Sequence, residues 1–430
     1  MKRILIGAML LANVCFAQAQ LKLSVQPNEK WVWYAPETPE VQIVVKDSLL
    51  KAFASDISLV ITTDTKQPAF SVTQNVNVAQ GDSAVLTYKP AICTPGFYHC
   101  EVFADGKNIV DFPYEQNWGT EHHDFFNIAY EPENIVSLPD YQADFKTFWD
   151  KARAELAAIE PNYEMTELKE KSSKFKKFYL VKMQSLDNET IQLYVTIPNK
   201  PKTATKKCPV HIYYMGYNSG VWDIDTSDNE WITVLLSVRG QALNKPTNKY
   251  GDWIQYGLDN PEHYYYRGAY MDCVRAIDFV CTLPQADKNR IYAEGGSQGG
   301  AFTMAAASLD SRLRAVACYI TFMSDFPDYF KIVNWPAEPI FAKQHELGMS
   351  DEQMYRTMSY FDIKNLARWI TCPVYLGVGL QDPTCPPHTN FSGYNLVGAP
   401  KKYTIYPHYG HHVDYSHWND AVIEWYNEWR

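Results

Sequence analysis

The chain has 430 residues, of which 46% are hydrophobic and 14% aromatic, and its 39 basic and 49 acidic side chains give a formal net charge of −10. This composition excludes a disordered or fibrous chain and is typical of a soluble globular protein with two or three domains. The acidic surplus and the lack of a Lys/Arg cluster argue against a nucleic-acid partner, because such binding depends on clustered positive charge.

The N-terminal 19 residues have the pattern of a secretory signal peptide. Lys2 and Arg3 precede an apolar run over residues 4–17, and Ala17 and Ala19 have the spacing of a signal-peptidase site. The apolar run is shorter than the roughly 20 residues that a membrane-spanning helix needs, and no later segment of the sequence reaches that length. We therefore expect cleavage after Ala19 and a secreted or periplasmic protein without a membrane span.

Residues 20–127 are predicted to form an immunoglobulin-like β-sandwich. Short β-rich segments such as EVQIVVKD, DISLVITT and FYHCEVFADG follow one another with turn residues between them. Roughly seven such strands in about a hundred residues are typical of this architecture. Trp31, Trp33 and Tyr34 have the ring surface to stack on sugars, but the common use of aromatic residues for packing favours a place in the sandwich core or at a domain interface.

The eight cysteines that follow the signal peptide carry no catalytic signal. Four lie inside or beside apolar runs, where a cysteine usually behaves as a small buried hydrophobe: Cys273, Cys281, Cys318 and Cys372. Cys93 and Cys100 flank a Thr-Pro-Gly turn and are candidates for a disulfide, although spacing alone does not fix the geometry. Because no C-x-x-C pair or H-E-x-x-H helix occurs, no metal is predicted.

Residues 128–430 alternate β-rich and helical segments. This alternation predicts an α/β domain with a mostly parallel sheet that is covered by helices on both faces. In such sheets the functional residues gather at the carboxyl ends of the strands. The candidate functional residues of this chain all follow predicted strands of this domain.

The sequence Gly295-Gly296-Ser297-Gln298-Gly299 lies between the strand RIYAE and the helix-forming segment AFTMAAASL. A G-x-S-x-G turn between a strand and a helix is the nucleophile elbow of the α/β-hydrolases, which raises the serine hydroxyl above the sheet. The alternative is a glycine-rich turn whose serine only caps the helix. The strand-turn-helix context favours Ser297 as a nucleophile.

A serine nucleophile needs a base, and the base needs an acid, which follow it in the chain order Ser, Asp or Glu, His. Asp382 directly follows the strand PVYLGVGL and is the favoured acid; Asp325, after the strand AVACYI, is the alternative. The base should follow the last strand, KKYTIYP, and three residues satisfy this condition: His408, His411 and His412. Spacing within this segment does not choose among them.

The tetrahedral oxyanion formed by serine attack needs two backbone N–H donors. One should belong to Gln298, the residue after the nucleophile, and the other to the loop over residues 214–218. These motifs together resemble the acetyl xylan esterase and cephalosporin C deacetylase group, carbohydrate esterase family 7. The resemblance extends over residues 128–430 and is carried by the segments DFKTFW, YMGYNSG, VRGQ, YYYRGAYMDCVRAIDF, GGSQGG, GLQDPTCPP, YNLVGAPK and IYPHYGH.

The resemblance implies an α/β-hydrolase fold and assigns the open roles. It implies Ser297 as nucleophile, Asp382 as acid and His411 as base, with the backbone amides of Tyr217 and Gln298 as oxyanion hole and Tyr217 also as a substrate-binding residue. The Arg-Gly-Gln signature begins at Arg239, for which we favour a structural role as a buried ion-pair residue. Where the family usually has Glu after its catalytic histidine, this chain has His412.

The predicted function is that of an exported serine esterase that deacetylates small acetylated saccharides, with no cofactor. The alternatives are a serine peptidase or another carboxylester hydrolase of the same fold, or a non-catalytic glycan-binding protein. The N-terminal sandwich and a short segment between Gln241 and the YYYR motif depart from the family pattern and argue against its ring-shaped hexamer, although a homo-oligomer remains open. Because the candidate catalytic residues follow residue 128, the sandwich is expected to take no part in bond cleavage.

Overall fold

The computed structural model describes residues 23–27, 29–200 and 207–430, so the predicted signal peptide lies outside the described residues. Residues 23–130 form a β-sandwich, and the chain then enters an α/β domain. The sandwich strands are β1 (Leu23–Pro27), β2 (Val32–Trp33), β3 (Val41–Asp47), β4 (Phe53–Thr63), β5 (Pro68–Val78), β6 (Ala84–Tyr88), β7 (Gly96–Ala104), β8 (Lys107–Asn108), β9 (Phe112–Gln116), β10 (Gly119–His123) and β11 (Phe126–Tyr130).

The sandwich forms because alternate residues of its strands are apolar. In β3, Val41, Ile43 and Val45 are fully buried, while the residues between them are only partly buried. One sheet has the order β1-β3-β6, and the other has the order β2-β11-β7-β4-β5, with β8 paired to β7. The strands β9 and β10 form a separate hairpin that extends toward the second domain.

The border between the two domains lies at the end of β11. This strand pairs with β7 along its whole length and is buried at every position. The boundary predicted between residues 127 and 128 therefore falls inside a strand, and the sandwich continues to Tyr130. Sequence periodicity could not place it better, since β11 is as apolar as a core strand of the next domain.

The second domain has the predicted α/β-hydrolase fold, with one sheet of order β12-β13-β14-β16-β15-β17-β18-β19-β20. The pairings from β16 through β20 are parallel, and those from β12 to β16 are antiparallel. Its strands are β12 (Glu164–Glu167), β13 (Lys176–Gln184), β14 (Thr190–Pro198), β15 (Cys208–Tyr214), β16 (Ile232–Ser237), β17 (Ala286–Gly296), β18 (Ala315–Tyr319), β19 (Val374–Gly379) and β20 (Lys401–Tyr406).

The helices cover both faces of this sheet. They are α1 (Phe145–Ala157), α2 (Tyr265–Thr282), α3 (Gln298–Leu309), α4 (Phe326–Ile332), α5 (Ala337–Glu346), α6 (Asp351–Ser359), α7 (Ile363–Ala367), α8 (Pro387–Tyr394) and α9 (Tyr415–Glu428). In β18, Val316 and Cys318 join the core that contains α2 and α3, whereas Ala315 and Ala317 join the cluster formed with α9. Burial on both faces explains why this strand is apolar at every position.

The aromatic residues near the start of the sandwich pack inside the protein. Trp31 and Trp33 are buried, and the Trp31 ring contacts the imidazole of His408, which belongs to the second domain, at 5.1 Å between centroids. Tyr34 is partly exposed, and its hydroxyl hydrogen-bonds the hydroxyl of Tyr403 in β20 at 2.9 Å. These residues thus serve the sandwich core and the domain interface.

Cys93 and Cys100 are not joined, because Cys100 lies in β7 with its side chain in the core and Cys93 is exposed. Of the four predicted core thiols, Cys281 is only partly buried, and the others are buried. No helix among the described residues is both long enough and apolar enough to cross a bilayer.

Candidate active site

Ser297 stands at a sharp turn between β17 and α3. Its backbone has φ 56° and ψ −122°, a conformation that costs a non-glycine residue free energy and that marks functional sites. The turn also requires glycine neighbours. A Cβ on Gly299 would lie 2.1 Å from the carbonyl oxygen of Tyr214, and one on Gly295 would lie 2.4 Å from the backbone of Gly299. The motif therefore folds as the strained elbow that the sequence predicts.

Three side chains from the ends of different strands form one hydrogen-bonded chain. Nε2 of His411 lies 2.9 Å from Oγ of Ser297, and its Nδ1 lies 2.9 Å from Oδ2 of Asp382. A carboxylate can only accept, so Nδ1–H donates to Asp382, which leaves Nε2 free to accept from the serine hydroxyl. The other carboxylate oxygen of Asp382 accepts from the backbone amides of Thr384 and Cys385 at 2.7 and 2.9 Å. These bonds fix the direction in which the carboxylate points.

The charge of Asp382 changes the basicity of its neighbour. Burial of the imidazole lowers the pKa of His411, but its interactions with Asp382 and Cys385 together outweigh burial, and the net result is a pKa above the ordinary value for histidine. An imidazole in this environment is a good proton acceptor for a serine hydroxyl, because its protonated form is stabilised by the ion pair.

The three histidines that the sequence offers as candidate bases have different contacts in the structure. The ring of His408 packs between the sandwich residues Trp31 and Phe112. His412 packs edge-on against Tyr415, and burial lowers its pKa. Among these three, only His411 hydrogen-bonds Ser297.

Asp325, the alternative acid, is engaged elsewhere. Its carboxylate lies 2.9 Å from Nζ of Lys364 in a buried ion pair. Asp325, Asp328 and His388 place ligand atoms within 4.8 Å of one another, which is a spacing that a metal ion could use. Contacts with Asp328 and Asp64 outweigh the effect of burial and raise the pKa of His388 to about 10. Both ring nitrogens of His388 face carboxylates, Asp64 at 2.9 Å and Asp328 at 3.5 Å, so the described contacts form an ion-pair cluster.

The two predicted oxyanion-hole residues flank the elbow. Gln298 is the first residue of α3, so its backbone N–H has no acceptor within the helix. The loop that carries Tyr217 follows β15, and a Cβ on Gly216 in this loop would lie 3.8 Å from the carbonyl oxygen of Gly296. This close approach brings the loop beside the nucleophile turn.

Gln241 joins these two segments, a role for which the sequence offered only its place in the Arg-Gly-Gln signature. Its side-chain amide and that of Gln298 donate to each other at 3.1 Å, and both residues are fully or almost fully buried. The oxygen of Gln241 also accepts from the backbone N–H of Asn218 at 3.1 Å. One amide thus holds the loop after β15 against the start of α3.

The side chain of Tyr217 forms an aromatic wall close to the elbow. Its hydroxyl donates to Asp252 at 2.8 Å, and its ring contacts the rings of Trp253 and Trp335 at 5.1 and 5.6 Å between centroids. Burial and the bond to the carboxylate raise the pKa of Tyr217, so the phenol stays neutral.

Comparison with known proteins agrees with this geometry. The sequence profile of the acetyl xylan esterase (AXE1) family matches residues 130–429. The chain belongs to this family. Membership makes it a carboxylic ester hydrolase, as the sequence predicts, and the predicted fold class is likewise confirmed.

Individual acetyl esterases and acetyl xylan esterases are similar over about 70% of the chain. The acetyl esterase Axe7A of Xylanibacter ruminicola is 28% identical over 328 residues, which are 73% of this chain and 70% of that protein. The acetyl xylan esterase structure from Paenibacillus sp. R4 has a TM-score of 0.63 at 28% identity and covers 70% of this chain and 99% of that one. The Thermoanaerobacterium sp. enzyme has a TM-score of 0.62 at 26% identity, with 69% and 97% coverage.

Within the family signature, Arg239 has the structural role that the sequence favours. Its guanidinium makes a two-pronged ion pair with Asp272, at 3.0 and 2.7 Å, and also donates to the carbonyl oxygen of Leu186. Both partners of the ion pair are buried. The arginine therefore ties the end of β16 to α2 and does not reach Ser297 through any described contact.

The sandwich holds the loop that carries His411. In β9, the backbone N–H of Glu115 donates to the carbonyl oxygen of His408 at 2.8 Å, and the N–H of Gly410 donates to the carbonyl oxygen of Glu115 at 2.9 Å. Gly410 must be glycine here, because a Cβ would lie 2.5 Å from the ring of Tyr114. The base loop is thus paired to the sandwich like an added strand.

The sandwich also holds the loop that carries Asp382. The backbone N–H of Asn127 donates to the side chain of Gln381, and the Asn127 amide donates to the carbonyl oxygen of Leu380, both at 2.9 Å. Gln381 in turn donates to the carbonyl oxygen of Pro407 at 2.9 Å, which links the acid loop to the base loop. Sequence reasoning missed these contacts, since no motif marks them.

Proposed function

We propose that this chain is an exported serine esterase that removes acetyl groups from small acetylated saccharides through an acetyl-enzyme intermediate on Ser297. The observation that carries the proposal is the hydrogen-bonded chain from Ser297 through His411 to Asp382, set at the strand ends of an acetyl xylan esterase family domain. No cofactor is needed, because the three side chains supply the nucleophile, the base and the acid.

In the first half-reaction, Oγ of Ser297 attacks the acetyl carbonyl carbon while Nε2 of His411 takes the hydroxyl proton. Asp382 keeps the imidazole oriented and stabilises its positive charge. The negative charge that develops on the carbonyl oxygen is stabilised by the backbone N–H groups of Tyr217 and Gln298. Collapse of the intermediate breaks the bond to the sugar oxygen, which leaves as an alcohol with the proton from His411.

In the second half-reaction, water replaces the sugar. His411 takes a proton from the water as the water attacks the acetyl-enzyme, and the second tetrahedral intermediate expels Ser297, which regains its proton. Acetate leaves, and the site returns to its starting state. The same three side chains and two backbone N–H groups act in both half-reactions, so the mechanism needs no further residue.

The surroundings of the elbow support a small acyl group on a sugar. The rings of Tyr217 and Trp335 offer flat apolar surfaces on which a sugar ring can lie, and the buried ring of Trp253 supports Tyr217 from behind. The named relatives are an acetyl esterase and acetyl xylan esterases, which favours acetylated xylo-oligosaccharides. Export rests on the signal-peptide pattern of residues 1–19.

The decisive experiment measures acetate release from acetylated xylo-oligosaccharides beside esters of increasing acyl length. We expect acetyl substrates to be preferred and Ser297→Ala to lower kcat by roughly 10⁴- to 10⁶-fold without loss of fold. A preference for longer or aromatic acyl groups would instead indicate another carboxylester hydrolase. Release of amino acids from peptides without acetate would indicate a peptidase.

A further inference from the structure

A cavity of about 450 Å³ lies between the sandwich and the hydrolase domain. The sandwich contributes Asp64, Lys66, His99 and Phe125 to its lining, and the hydrolase domain contributes Trp335 and Asp382 among others. Its volume is within the range of about 300–1,000 Å³ that is usual for small-molecule sites, which also favour domain interfaces.

Two residues connect the lining of the cavity to the candidate active site. Asp382 lines the cavity and also hydrogen-bonds His411. Trp335 lines it and also contacts the ring of Tyr217, the oxyanion-loop residue. With 39% of its surface exposed, Trp335 can meet a ligand that extends from one space into the other.

The sandwich side of the cavity presents uncharged rings. His99 stacks on Phe125 at 4.4 Å between centroids, and Phe125 stacks on His123 at 4.5 Å, with the rings nearly parallel in both pairs. Burial lowers the pKa of His99 to about 4, so its ring is neutral at pH 7. Because His99 and His123 cover the two faces of Phe125, the other face of His99 is the ring surface left for the flat C–H face of a sugar.

The polar groups at the cavity can bind sugar hydroxyls. Lys66 is exposed at the cavity and can donate to a hydroxyl. The carboxylate of Asp64 is already paired with His388 at 2.9 Å, and Asp382 with His411. With both carboxylates already engaged, Lys66 and the ring surface of His99 are left to meet a ligand, and a sugar offers a hydroxyl to the first and a C–H face to the second.

We propose that this cavity is an oligosaccharide subsite, built by both domains, that binds the part of the sugar chain next to the acetylated residue. The inference rests on the proposed function, which it deepens by making the sandwich a determinant of chain-length preference. A single acetylated sugar would fill the space at Ser297, and a longer chain would also contact His99, Phe125 and Lys66.

The test compares two specificity constants for each variant. We divide kcat/KM for an acetylated xylotetraose by kcat/KM for 4-nitrophenyl acetate, so that any general change in catalysis cancels. His99→Ala should lower this ratio about tenfold, equivalent to 1.4 kcal/mol, and Lys66→Ala should lower it less. His122→Ala is the matched control, because its imidazole is on the surface of β10 and pairs only with Asp111 among the described residues.

Direct binding separates this inference from the proposed function. Unacetylated xylotetraose, which has no ester to cleave, is titrated into the wild-type enzyme and the His99→Ala variant by calorimetry. Binding that weakens in His99→Ala supports the subsite even if no acetylated sugar proves to be a substrate. Unchanged ratios in both variants, or no binding of xylotetraose to the wild type, would overturn it.

Discussion

Gln381 joins the sandwich, the acid loop and the base loop, and its removal should impair catalysis without touching the three reacting side chains. The residue is fully buried. Its side chain accepts from the N–H of Asn127 and donates to the carbonyl oxygen of Pro407, each at 2.9 Å. Asp382 is the next residue along the chain, so any movement of Gln381 is transmitted directly to the acid.

The magnitude follows from the groups that Gln381→Ala would leave without a partner. The buried N–H of Asn127 costs about 1–3 kcal/mol when unsatisfied, and the partly buried carbonyl of Pro407 costs less because water can reach it, so the free energy of unfolding should fall by about 1–4 kcal/mol. Loss of the link between the two loops should also let His411 and Asp382 drift, and a displacement of about 1 Å can cost roughly 100-fold in rate. We therefore expect both a lower melting temperature and a kcat about 10- to 100-fold below wild type.

The assay measures kcat with 4-nitrophenyl acetate at a temperature at which a melt shows that the variant is folded. Gln381→Met keeps most of the side-chain volume but not the hydrogen bonds, so it separates the loss of packing from the loss of positioning. Gln184→Ala is the control, since Gln184 bonds only the hydroxyl of Thr190 among the described side chains. If Gln381→Ala melts early but keeps wild-type kcat while folded, the contacts only stabilise the interface and the positioning argument fails.

Three further predictions follow from the site and its charges. His411→Ala should be as damaging to kcat as Ser297→Ala, whereas His412→Ala should lower it less than about tenfold; the opposite ranking in turnover assays would move the base to His412. In the pH profile of the wild type, kcat/KM should fall on the acid side with a midpoint above pH 6.5, because Asp382 raises the pKa of His411. Asp382→Asn should move that midpoint to lower pH and should also lower kcat by about 10⁴-fold. The pKa of His388 is raised to about 10, so its ion pairs with Asp64 and Asp328 stabilise the fold fully below pH 6.5 and lose that effect as pH rises through 10. Urea melts at pH 6.5 and pH 10 should therefore show a smaller difference in the free energy of unfolding for His388→Asn than for wild type. An equal difference would contradict the linkage.

The positions of Ser297 and Asp382 could be predicted because local sequence determines their geometry. Ser297 needs a strand, small neighbours and a helix start, and all three are visible in a dozen residues. Asp382 needs only to follow a buried strand. The histidine could not be chosen from spacing, since His408, His411 and His412 share one short loop. Its direction is set by backbone contacts with Glu115, which lies almost 300 residues earlier in the chain.

Large separation along the chain also explains why the sequence did not reveal how the sandwich contacts the loops of the active site. Asn127 and Gln381 are separated by 254 positions, and neither belongs to a recognisable motif. A strand pattern shows that a residue is buried, but not which loop of another domain buries it. The expectation that the sandwich takes no part in bond cleavage concerned its lack of a nucleophile, a base and an acid. That absence says nothing about whether the sandwich positions those groups in its neighbour.

Besides its aromatic packing, the sandwich contacts the catalytic domain through two sets of residues that overlap in part. Glu115 holds the base loop through backbone groups, whereas His99 and Lys66 line the cavity and have no described bond to either loop. Asn127 and His123 belong to both sets, because each lines the cavity and also bonds the acid loop. Since loop positioning acts on every ester and a subsite acts only on long substrates, a change in the first set should alter kcat for all of them, and a change in the second should alter only the preference among them. A domain that did no more than hold the catalytic domain in an assembly would give neither pattern.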